Sequence, residues 1–252
     1  MKSNGKMSDT RGAMSVKRIG LVTGAGKGLG REIALSLADM STGIAVHYFR
    51  NRMAAEETAR LIREKGKESL AFRADLTREK EASALIRSVE QKLGRVDILV
   101  NNVGPILVKP WTVLTADDWD RMLRANLESA FFCLKAALPG MRQRKWGRII
   151  NIGYSRAEQL TAFPTITAYA AAKTSLLILT RTAAVAEAGS GVTINMVSPG
   201  LLEGGLLPSG LKIEKMGLGT FADIAKAVCF LASDEARAVR GANLVVAGTW
   251  KM

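Results

Sequence analysis

Short runs of β-branched and aliphatic residues alternate along the chain with longer segments whose apolar residues recur at helical spacing. Most of the short runs are continuously apolar, which is typical of strands buried on both faces of a parallel sheet. They predict seven strands, at Arg18–Thr23, Gly43–Tyr48, Ser69–Arg73, Val96–Asn101, Arg148–Ile152, Thr193–Val197 and Ala242–Ala247. The helical segments between them are Leu29–Asp39, Met53–Lys65, Arg78–Lys92, Asp117–Leu138, Tyr169–Glu187 and Phe221–Ser233.

Strands that alternate with helices of about 10–20 residues predict repeated βαβ units. We therefore expect an α/β fold with a single doubly wound parallel sheet, the Rossmann fold, and helices on both faces. No repeat or linker divides residues 18–252, which we expect to form one domain. Ligands in such folds bind beyond the carboxyl ends of the strands, so the loops that follow the strands are expected to carry the chemistry.

Composition is ordinary for a globular protein, with 48% hydrophobic and 23% charged residues among 252. No apolar run reaches 18 residues, so no transmembrane helix is predicted. Cys133 and Cys229 lie far apart in apolar stretches and are predicted to be buried free thiols. Free thiols favour the reducing cytoplasm as the location of the protein.

The net charge is +13. Residues 1–17 are predicted to be a disordered basic tail without the apolar segment of a signal peptide. A basic surface favours anionic partners but is also typical of a merely solvated face. No nucleic-acid-binding motif and no series of stacking aromatics occurs, so neither nucleic acid nor a membrane is expected as a partner. No metal site is predicted.

A glycine-rich turn, Thr23 to Gly30, follows the first strand directly and opens the first helix. Gly24 permits a tight turn, Gly28 lets the backbone approach a pyrophosphate, and Gly30 permits close packing of helix on strand. The helix beginning at Leu29 directs its free N–H groups and its positive end at the phosphates. This context predicts a dinucleotide site.

The end of the second strand predicts which dinucleotide binds. An acidic residue there would bond the 2′-hydroxyl of NAD, whereas a basic residue accepts the 2′-phosphate of NADP. The chain reads His47 to Arg52 here without an acid, and Lys27 adds a cation in the glycine turn. Arg50 and Lys27 are therefore predicted to bind NADP, the alternative being two ordinary surface cations. His47, the only histidine, is given no catalytic role and is expected to be packed or solvated.

Tyr169 and Lys173 are four residues apart near the start of a predicted helix, so their side chains share a face. A neighbouring ammonium stabilises a phenolate and is expected to lower the pKa of Tyr169. Tyr169 would then donate a proton to a carbonyl that receives hydride.

Together these motifs resemble the short-chain dehydrogenase/reductase family, and within it the 3-oxoacyl-[acyl-carrier-protein] reductases most. The resemblance spans residues 18 to about 250 and rests on motifs that occur in the family's order. They are Thr23-Gly24-x-x-x-Gly28-x-Gly30, Asp75-Leu76, Asn101-Asn102-Val103-Gly104, Asn126, Tyr169-x-x-x-Lys173 and Ser198-Pro199-Gly200.

The resemblance implies roles for these residues. Tyr169 is the general acid, Lys173 lowers its pKa and bonds the nicotinamide ribose, and Asn126 holds a water behind Lys173. The implied cofactor-binding residues are Gly24, Lys27, Gly28, Leu29, Gly30, Arg50, Asn51, Asp75, Leu76, Asn102, Gly104, Tyr169, Lys173, Pro199, Gly200 and Leu202. Among them, Asp75 and Leu76 edge the adenine, Asn102 and Gly104 flank the adenosine side, and Pro199, Gly200 and Leu202 border the nicotinamide. Asp97 is implied to be structural, and the protein to be a homodimer or homotetramer.

The chain departs from the family pattern in the loop after the fifth strand, where the family places a serine that bonds the substrate carbonyl. The loop is about two residues longer than usual. Counting forward from Ile152 places Tyr154 in the slot, and counting back from Tyr169 places Arg156 or Ser155 near it; Ser155 is the candidate. Gly204 stands where the family often has a threonine, the segment Leu201–Leu218 is short for a substrate lid, and the terminal motif reads Val246 to Thr249.

The sequence therefore predicts an NADPH-dependent reductase of a small-molecule or carrier-bound carbonyl compound. The alternatives are a pteridine reductase, a sugar or polyol dehydrogenase, and a non-catalytic dinucleotide-binding protein. Basic residues Arg142, Arg144, Lys145 and Arg148 cluster around Trp146. In the resemblance they imply a dock for an acidic acyl carrier protein, with Trp146 as an apolar contact. The alternative is a basic helix end favoured by the macrodipole.

Overall fold

The computed structural model describes residues 17–205 and 217–248. Their seven strands form one sheet in the order β3-β2-β1-β4-β5-β6-β7, with every neighbouring pair parallel. The strands are β1 Ile19–Val22, β2 Gly43–Tyr48, β3 Glu68–Arg73, β4 Ile98–Asn101, β5 Gly147–Ile152, β6 Val192–Pro199 and β7 Asn243–Val246. The predicted doubly wound sheet is confirmed.

Helices cover both faces of this sheet. They are α1 Gly28–Leu37, α2 Arg52–Glu64, α3 Glu79–Leu93, α4 Ala116–Leu123, α5 Ser129–Gln143, α6 Thr167–Ala186 and α7 Phe221–Ala232. Buried residues of α1, α2 and α7 join one core cluster, and those of α3 and α5 join the other. Strands β1, β4 and β5 contribute buried side chains to both clusters, which explains their continuously apolar sequences.

The fourth predicted helix differs most from the expectation of Asp117–Leu138. It is two helices, α4 and α5, separated by a π-helical turn at Arg124–Glu128. Helix α5 also continues past Pro139 to Gln143 instead of ending before the proline. The burial of Leu138 and Met141 on the core side favours this continuation, although proline supplies no backbone N–H.

Several other predictions concern segments that lie partly outside the described residues. Residues 1–16 of the predicted tail, most of the predicted lid and Thr249 of the terminal motif lie outside them. Cys133 is buried and Cys229 is partly exposed, and both are free thiols. No helix among the described residues is long and apolar enough to cross a membrane.

Candidate active site

The glycine turn joins β1 to α1 and leaves its helix end open. Gly24 and Gly28 have positive φ angles of 65° and 55°, which side-chain-bearing residues rarely adopt. No side chain caps the first turn of α1, and a Cβ added at Gly28 would meet nothing within 4 Å. At Gly30 a Cβ would lie 2.3 Å from the carbonyl oxygen of Gly24. The three glycines thus have the conformations and space that the predicted roles require: a turn at Gly24, open space at Gly28 and a close packing contact at Gly30.

Side chains from two neighbouring strands hold this turn in place. Asn102, after β4, donates its Nδ2 hydrogen to the carbonyl of Thr23 at 2.9 Å, and its backbone N–H to Thr23 Oγ1 at 2.8 Å. His47, at the end of β2, accepts the backbone N–H of Gly24 at Nδ1, 3.0 Å away. The side chain of Asn102, predicted to flank the adenosine, is therefore engaged with the phosphate turn.

A cleft of about 580 Å³ lies beyond the carboxyl ends of β1, β2 and β3. Gly24, Arg50, Asp75 and Leu76, four of the predicted cofactor residues, line it together. The opposite wall comes from the loop after β4 and from α4, including Arg121, which the sequence analysis did not select. Asp75 accepts hydrogen bonds from the backbone and hydroxyl of Thr77, at 3.1 and 2.7 Å. The location fits the predicted adenosine end of a dinucleotide.

Exposed cations surround the end of β2. Lys27 and Arg50 are both exposed, and the Arg50 guanidinium carbon lies 5.4 Å from the ring centroid of Phe49. Arg73, at the end of β3, approaches the same ring at 5.8 Å and was missed because it belongs to an ordinary strand pattern. Within residues 17–205 and 217–248, none of these three cations pairs with an acid. Asn51 accepts the backbone N–H of Ala54 at 3.0 Å and caps α2, so its side chain has a structural partner here.

Tyr169 and Lys173 lie on one face of α6, with Lys173 Nζ 6.0 Å from the ring centroid of Tyr169. Lys173 is 2% exposed, and its Nζ donates to the carbonyl of Ile152 at 2.6 Å. Because Ile152 ends β5, this bond fixes the ammonium at the carboxyl edge of the sheet. The pair thus has the neighbouring arrangement that the spacing predicted.

Burial shifts both of these groups toward their neutral forms. It lowers the pKa of Lys173 to about 8. In Tyr169, burial raises the pKa above its usual value, and the nearby Tyr154 raises it further. In the chain alone, the pKa of Tyr169 therefore moves opposite to the predicted direction, and desolvation by burial is the largest cause of the shift. The phenol is held protonated, as a proton donor must be.

Asn126 lies inside the π-helical turn and is fully buried. Its Nδ2 donates to the carbonyls of Pro105 and Met122, at 3.0 and 3.1 Å. Its buried Oδ1 has no hydrogen-bond partner among the described residues. A Cβ at Gly104 would lie 2.4 Å from this oxygen and 2.7 Å from Lys173 Nζ. Gly104 was predicted on the adenosine side, whereas the structure places it against Asn126 and Lys173, where the missing side chain leaves room for both atoms.

The loop after β5 places Tyr154 and Ser155 differently. Ser155 is buried, and its N–H donates to the carbonyl of Pro199 at 2.9 Å. Tyr154 directs its hydroxyl toward Oγ1 of Thr174, 3.5 Å away, and packs its ring against Tyr169. The structure thus brings Ser155 to the strand end that carries the predicted nicotinamide residues.

Of the residues predicted to border the nicotinamide, Pro199 ends β6, and Gly200 and Leu202 follow it. A Cβ at Gly200 would lie 2.7 Å from the Cα of Ala247, so only glycine fits between the ends of β6 and β7. Leu202 is buried and pairs with Gly219 as an isolated bridge. Gly204, at the family's threonine position, has a φ of 73° and turns the chain.

Comparison with known proteins agrees with this arrangement. A family model described as enoyl-(acyl carrier protein) reductase matches residues 24–249. A 3-oxoacyl-[acyl-carrier-protein] reductase, FabG, of Staphylococcus aureus is 34% identical over 93% of this chain and 98% of its own. This chain belongs to the short-chain dehydrogenase/reductase family.

Solved structures of family members extend the comparison. A blue fluorescent protein from a metagenomic library, in complex with NADPH, is 32% identical with a TM-score of 0.85, over 93% of this chain and 98% of that one. Acetoin dehydrogenase YohF of Salmonella typhimurium is 27% identical with a TM-score of 0.83, over 93% and 96%. The Staphylococcus aureus reductase and the Salmonella typhimurium dehydrogenase are named for different substrates, so relatives of this chain act on more than one class of carbonyl compound.

The site of this short-chain dehydrogenase/reductase fits a nicotinamide dinucleotide. Such cofactors need an uncapped helix end for the pyrophosphate and a cleft for the adenosine, and α1 and the cleft beside Asp75 provide them. The unpartnered Oδ1 of Asn126 is a buried acceptor beside Lys173, where the family resemblance places a water.

Most of the basic residues that were predicted to dock a carrier protein are engaged within their own chain. Arg144 pairs with buried Asp97, Arg142 pairs with Glu187, and Arg148 is itself buried. Trp146 is half-buried, and the guanidinium groups of Arg18 and Arg148 lie 3.9 and 4.3 Å from its ring, so the ring is already engaged by cations of its own chain. Only Lys145 of the four cations is exposed without an acidic partner among the described residues.

The position of these residues within the chain matters as much as their partners. They precede or begin β5 at Gly147, whereas Lys173 Nζ lies at the other end of the strand, on the carbonyl of Ile152. At about 3.3 Å per residue, the strand separates the two edges by about 17 Å. Within one chain, the basic residues are therefore at the sheet edge opposite the cleft.

Proposed function

We propose that this protein is an NADPH-dependent carbonyl reductase that acts on a 3-oxoacyl thioester. The observation that carries the proposal is the pair formed by Tyr169 and Lys173, with Lys173 Nζ fixed at the end of β5 by the carbonyl of Ile152. A phenol kept protonated beside an ammonium is suited to donate a proton to a carbonyl oxygen.

The nicotinamide, when bound, supplies the hydride. Tyr169 donates a proton to the carbonyl oxygen as that oxygen gains charge, and Ser155 Oγ stabilises the same oxygen by a hydrogen bond. Lys173 contributes its positive charge beside Tyr169 and orients the ribose. The buried Oδ1 of Asn126 accepts a hydrogen bond from a water that returns a proton toward Lys173.

Preference for NADPH is supported by the charges at the end of β2. Lys27, Arg50 and Arg73 are exposed cations without an acidic partner in the described part of the chain, and no acid ends the strand. The NADPH complex of the metagenomic relative supports the same choice. A 3-oxoacyl thioester is proposed because the Staphylococcus aureus relative is named for that substrate.

A homo-oligomer is also proposed, through the outer faces of α5 and α6. Phe131 on α5 is 38% exposed and Ile178 on α6 is 64% exposed, beside a groove that they line together. Buried apolar area would stabilise a pair of copies here. Sedimentation velocity would show a dimer or tetramer at micromolar concentration, and a monomer throughout would contradict this.

The experiment that tests the function is NADPH oxidation with matched carbonyl compounds. The panel is a 3-oxoacyl thioester, a small ketone, a pterin and a keto sugar. We expect the highest kcat/KM with the thioester. A higher value with the pterin or the sugar would indicate the corresponding dehydrogenase. No turnover with any compound, together with tight NADPH binding, would indicate a non-catalytic binding protein.

A further inference from the structure

His47 is the only histidine of the chain and is not used by the proposed chemistry. It is the second-last residue of β2 and a buried side chain, 1% exposed, and both of its ring nitrogens have partners. Nδ1 lies 3.0 Å from the backbone nitrogen of Gly24, and Nε2 lies 3.1 Å from the carbonyl oxygen of Ala74. One imidazole therefore joins the glycine turn after β1 to the loop after β3.

These two contacts determine the state of the ring. An amide N–H can only donate, so Nδ1 must accept; a carbonyl can only accept, so Nε2 must carry the hydrogen. The neutral tautomer protonated at Nε2 is the one form that satisfies both. Burial lowers the pKa of His47 to about 4, which agrees with a neutral ring at physiological pH.

The His47 ring holds the backbone of Gly24, which is the first glycine of the phosphate turn. The N–H of Gly24 is taken by His47, while Asn102 Nδ2 approaches its carbonyl at 3.4 Å from the side of β4. The backbone of His47 adds a further bond, since its carbonyl accepts the N–H of Ala25 at 2.9 Å. The turn is thus fixed from both neighbouring strands.

The second partner of the His47 ring, the carbonyl of Ala74, lies at another part of the same cleft. Ala74 directly precedes Asp75, and both residues line the cleft together with His47 and Gly24. The imidazole therefore sets the spacing between the turn that would face the pyrophosphate and the loop that would face the adenosine.

We propose that His47 is a positioning residue for the dinucleotide, which acts by holding the N–H of Gly24 and the carbonyl of Ala74 at a fixed separation. The proposal rests on the proposed dinucleotide site but not on any carbonyl chemistry. Its effect falls on nucleotide affinity, and the step after binding is unaffected.

Two substitutions separate the contacts of the ring. In His47→Asn, Oδ1 occupies the place of Nδ1 and still accepts the N–H of Gly24, while the contact to Ala74 is lost. In His47→Gln, Nε2 occupies the place of the ring Nε2 and still donates to Ala74, while Gly24 loses its acceptor. Both replace a buried ring by a smaller amide, so each serves as the packing control for the other.

The decisive readout is the Kd for NADPH, measured by calorimetry, with the melting temperature of each variant recorded alongside. We expect His47→Gln to weaken NADPH binding by about tenfold or more, because the half-buried N–H of Gly24 loses its partner and the phosphate turn is no longer held. His47→Asn is expected to stay within about threefold of wild type. In steady state, KM for NADPH rises for His47→Gln while kcat at saturation stays unchanged.

A second measurement uses the wild type alone. Since the chain has one histidine, an untagged protein with 15N-labelled histidine gives a single imidazole, and its shifts distinguish a proton on Nε2 from one on Nδ1. We expect a neutral ring protonated at Nε2, with or without NADPH. A proton on Nδ1, or equal loss of affinity in both variants in step with their melting temperatures, would overturn the proposal.

The outcomes also separate this inference from the proposed function. A wild type that binds NADPH but reduces no carbonyl would contradict the reductase and leave the role of His47 intact. A wild type that binds no nicotinamide dinucleotide would overturn both. Should either variant fail to fold, the tautomer of the wild type decides the claim about the ring.

Discussion

The rings of Tyr154 and Tyr169 pack edge to face, with their centroids 5.8 Å apart and their planes at 68°. Tyr154 meets Phe163 in the same manner at 5.9 Å, so its ring is held between two aromatic neighbours. Its hydroxyl lies near Thr174, which is more than one helical turn beyond Tyr169 along α6. Tyr154 thus contributes a ring wall, and Ser155 remains the candidate donor to the carbonyl.

Single substitutions of Ser155 and Tyr154 test which of the two hydroxyls contacts the carbonyl. Ser155→Ala should lower kcat by about 10²-fold, as loss of a donor to a developing oxyanion does. Tyr154→Phe keeps the ring and should leave kcat within about threefold of wild type. Steady-state rates at saturating NADPH, with melting temperatures as the folding control, measure both. The reverse order of the two effects would assign the carbonyl contact to Tyr154.

The burial of Lys173 should make the free energy of unfolding depend on pH. Its pKa of about 8 in the folded chain is below its unfolded value, so the folded state binds its proton less well. Below pH 8 the buried ammonium lowers the free energy of unfolding by its full amount. This destabilisation decreases as the pH rises from 8 and is absent above about 10.4, the pKa of Lys173 in the unfolded chain. Lys173→Met, measured without nucleotide, should raise the free energy of unfolding by about 1–2 kcal/mol at pH 7, net of the lost bond to Ile152.

Urea denaturation at pH 7 and pH 10 checks the sign. The advantage of Lys173→Met should be smaller at pH 10, because wild type no longer carries a buried charge there. Turnover of the variant should be lost at both pH values. An advantage that grows with pH would show that Lys173 is not the titrating group.

Cofactor choice is the next expectation. Arg50 is exposed, faces the cleft and has no acidic partner among the described residues. Wild type should prefer NADPH over NADH by at least about tenfold in kcat/KM, and Arg50→Asp should reduce or reverse the preference. Arg87→Asp, at an exposed position on α3, makes the same change of net charge as a control. Equal kcat/KM for the two cofactors in wild type would contradict the assignment.

The carrier-docking hypothesis needs a test at Lys145 instead of Arg144. Arg144 pairs with fully buried Asp97, so Arg144→Glu should cost about 3 kcal/mol of stability and would confuse any binding experiment. Lys145→Glu changes an exposed cation and should cost less than about 0.5 kcal/mol. If Lys145 docks an acidic carrier, its reversal raises KM for a carrier-bound 3-oxoacyl substrate at low salt and leaves a small ketone unaffected. If KM changes equally for both substrates, the basic residues around Trp146 have a structural role only and do not dock a carrier.

Much of this architecture was predictable from the sequence because it depends on local patterns. Continuous apolar runs indicated the parallel sheet, and the spacing of Tyr169 and Lys173 placed both on one helix face. Partners that are distant along the chain were not predictable. The contact of Gly104 with Asn126 and the contacts of Trp146 with two arginines exist only after folding. The direction of the Tyr169 pKa was missed for the same reason, since desolvation depends on what surrounds the phenol.

The central claim is that Tyr169 is the proton donor of a carbonyl reductase, and Tyr169→Phe tests it most directly. The substitution removes one hydroxyl and keeps the ring that packs on Tyr154. We expect kcat for NADPH-dependent reduction of the best carbonyl substrate to fall by about 10²-fold or more, with the Kd for NADPH within about threefold of wild type. A Tyr169→Phe protein that turns over at the wild-type rate would contradict the account.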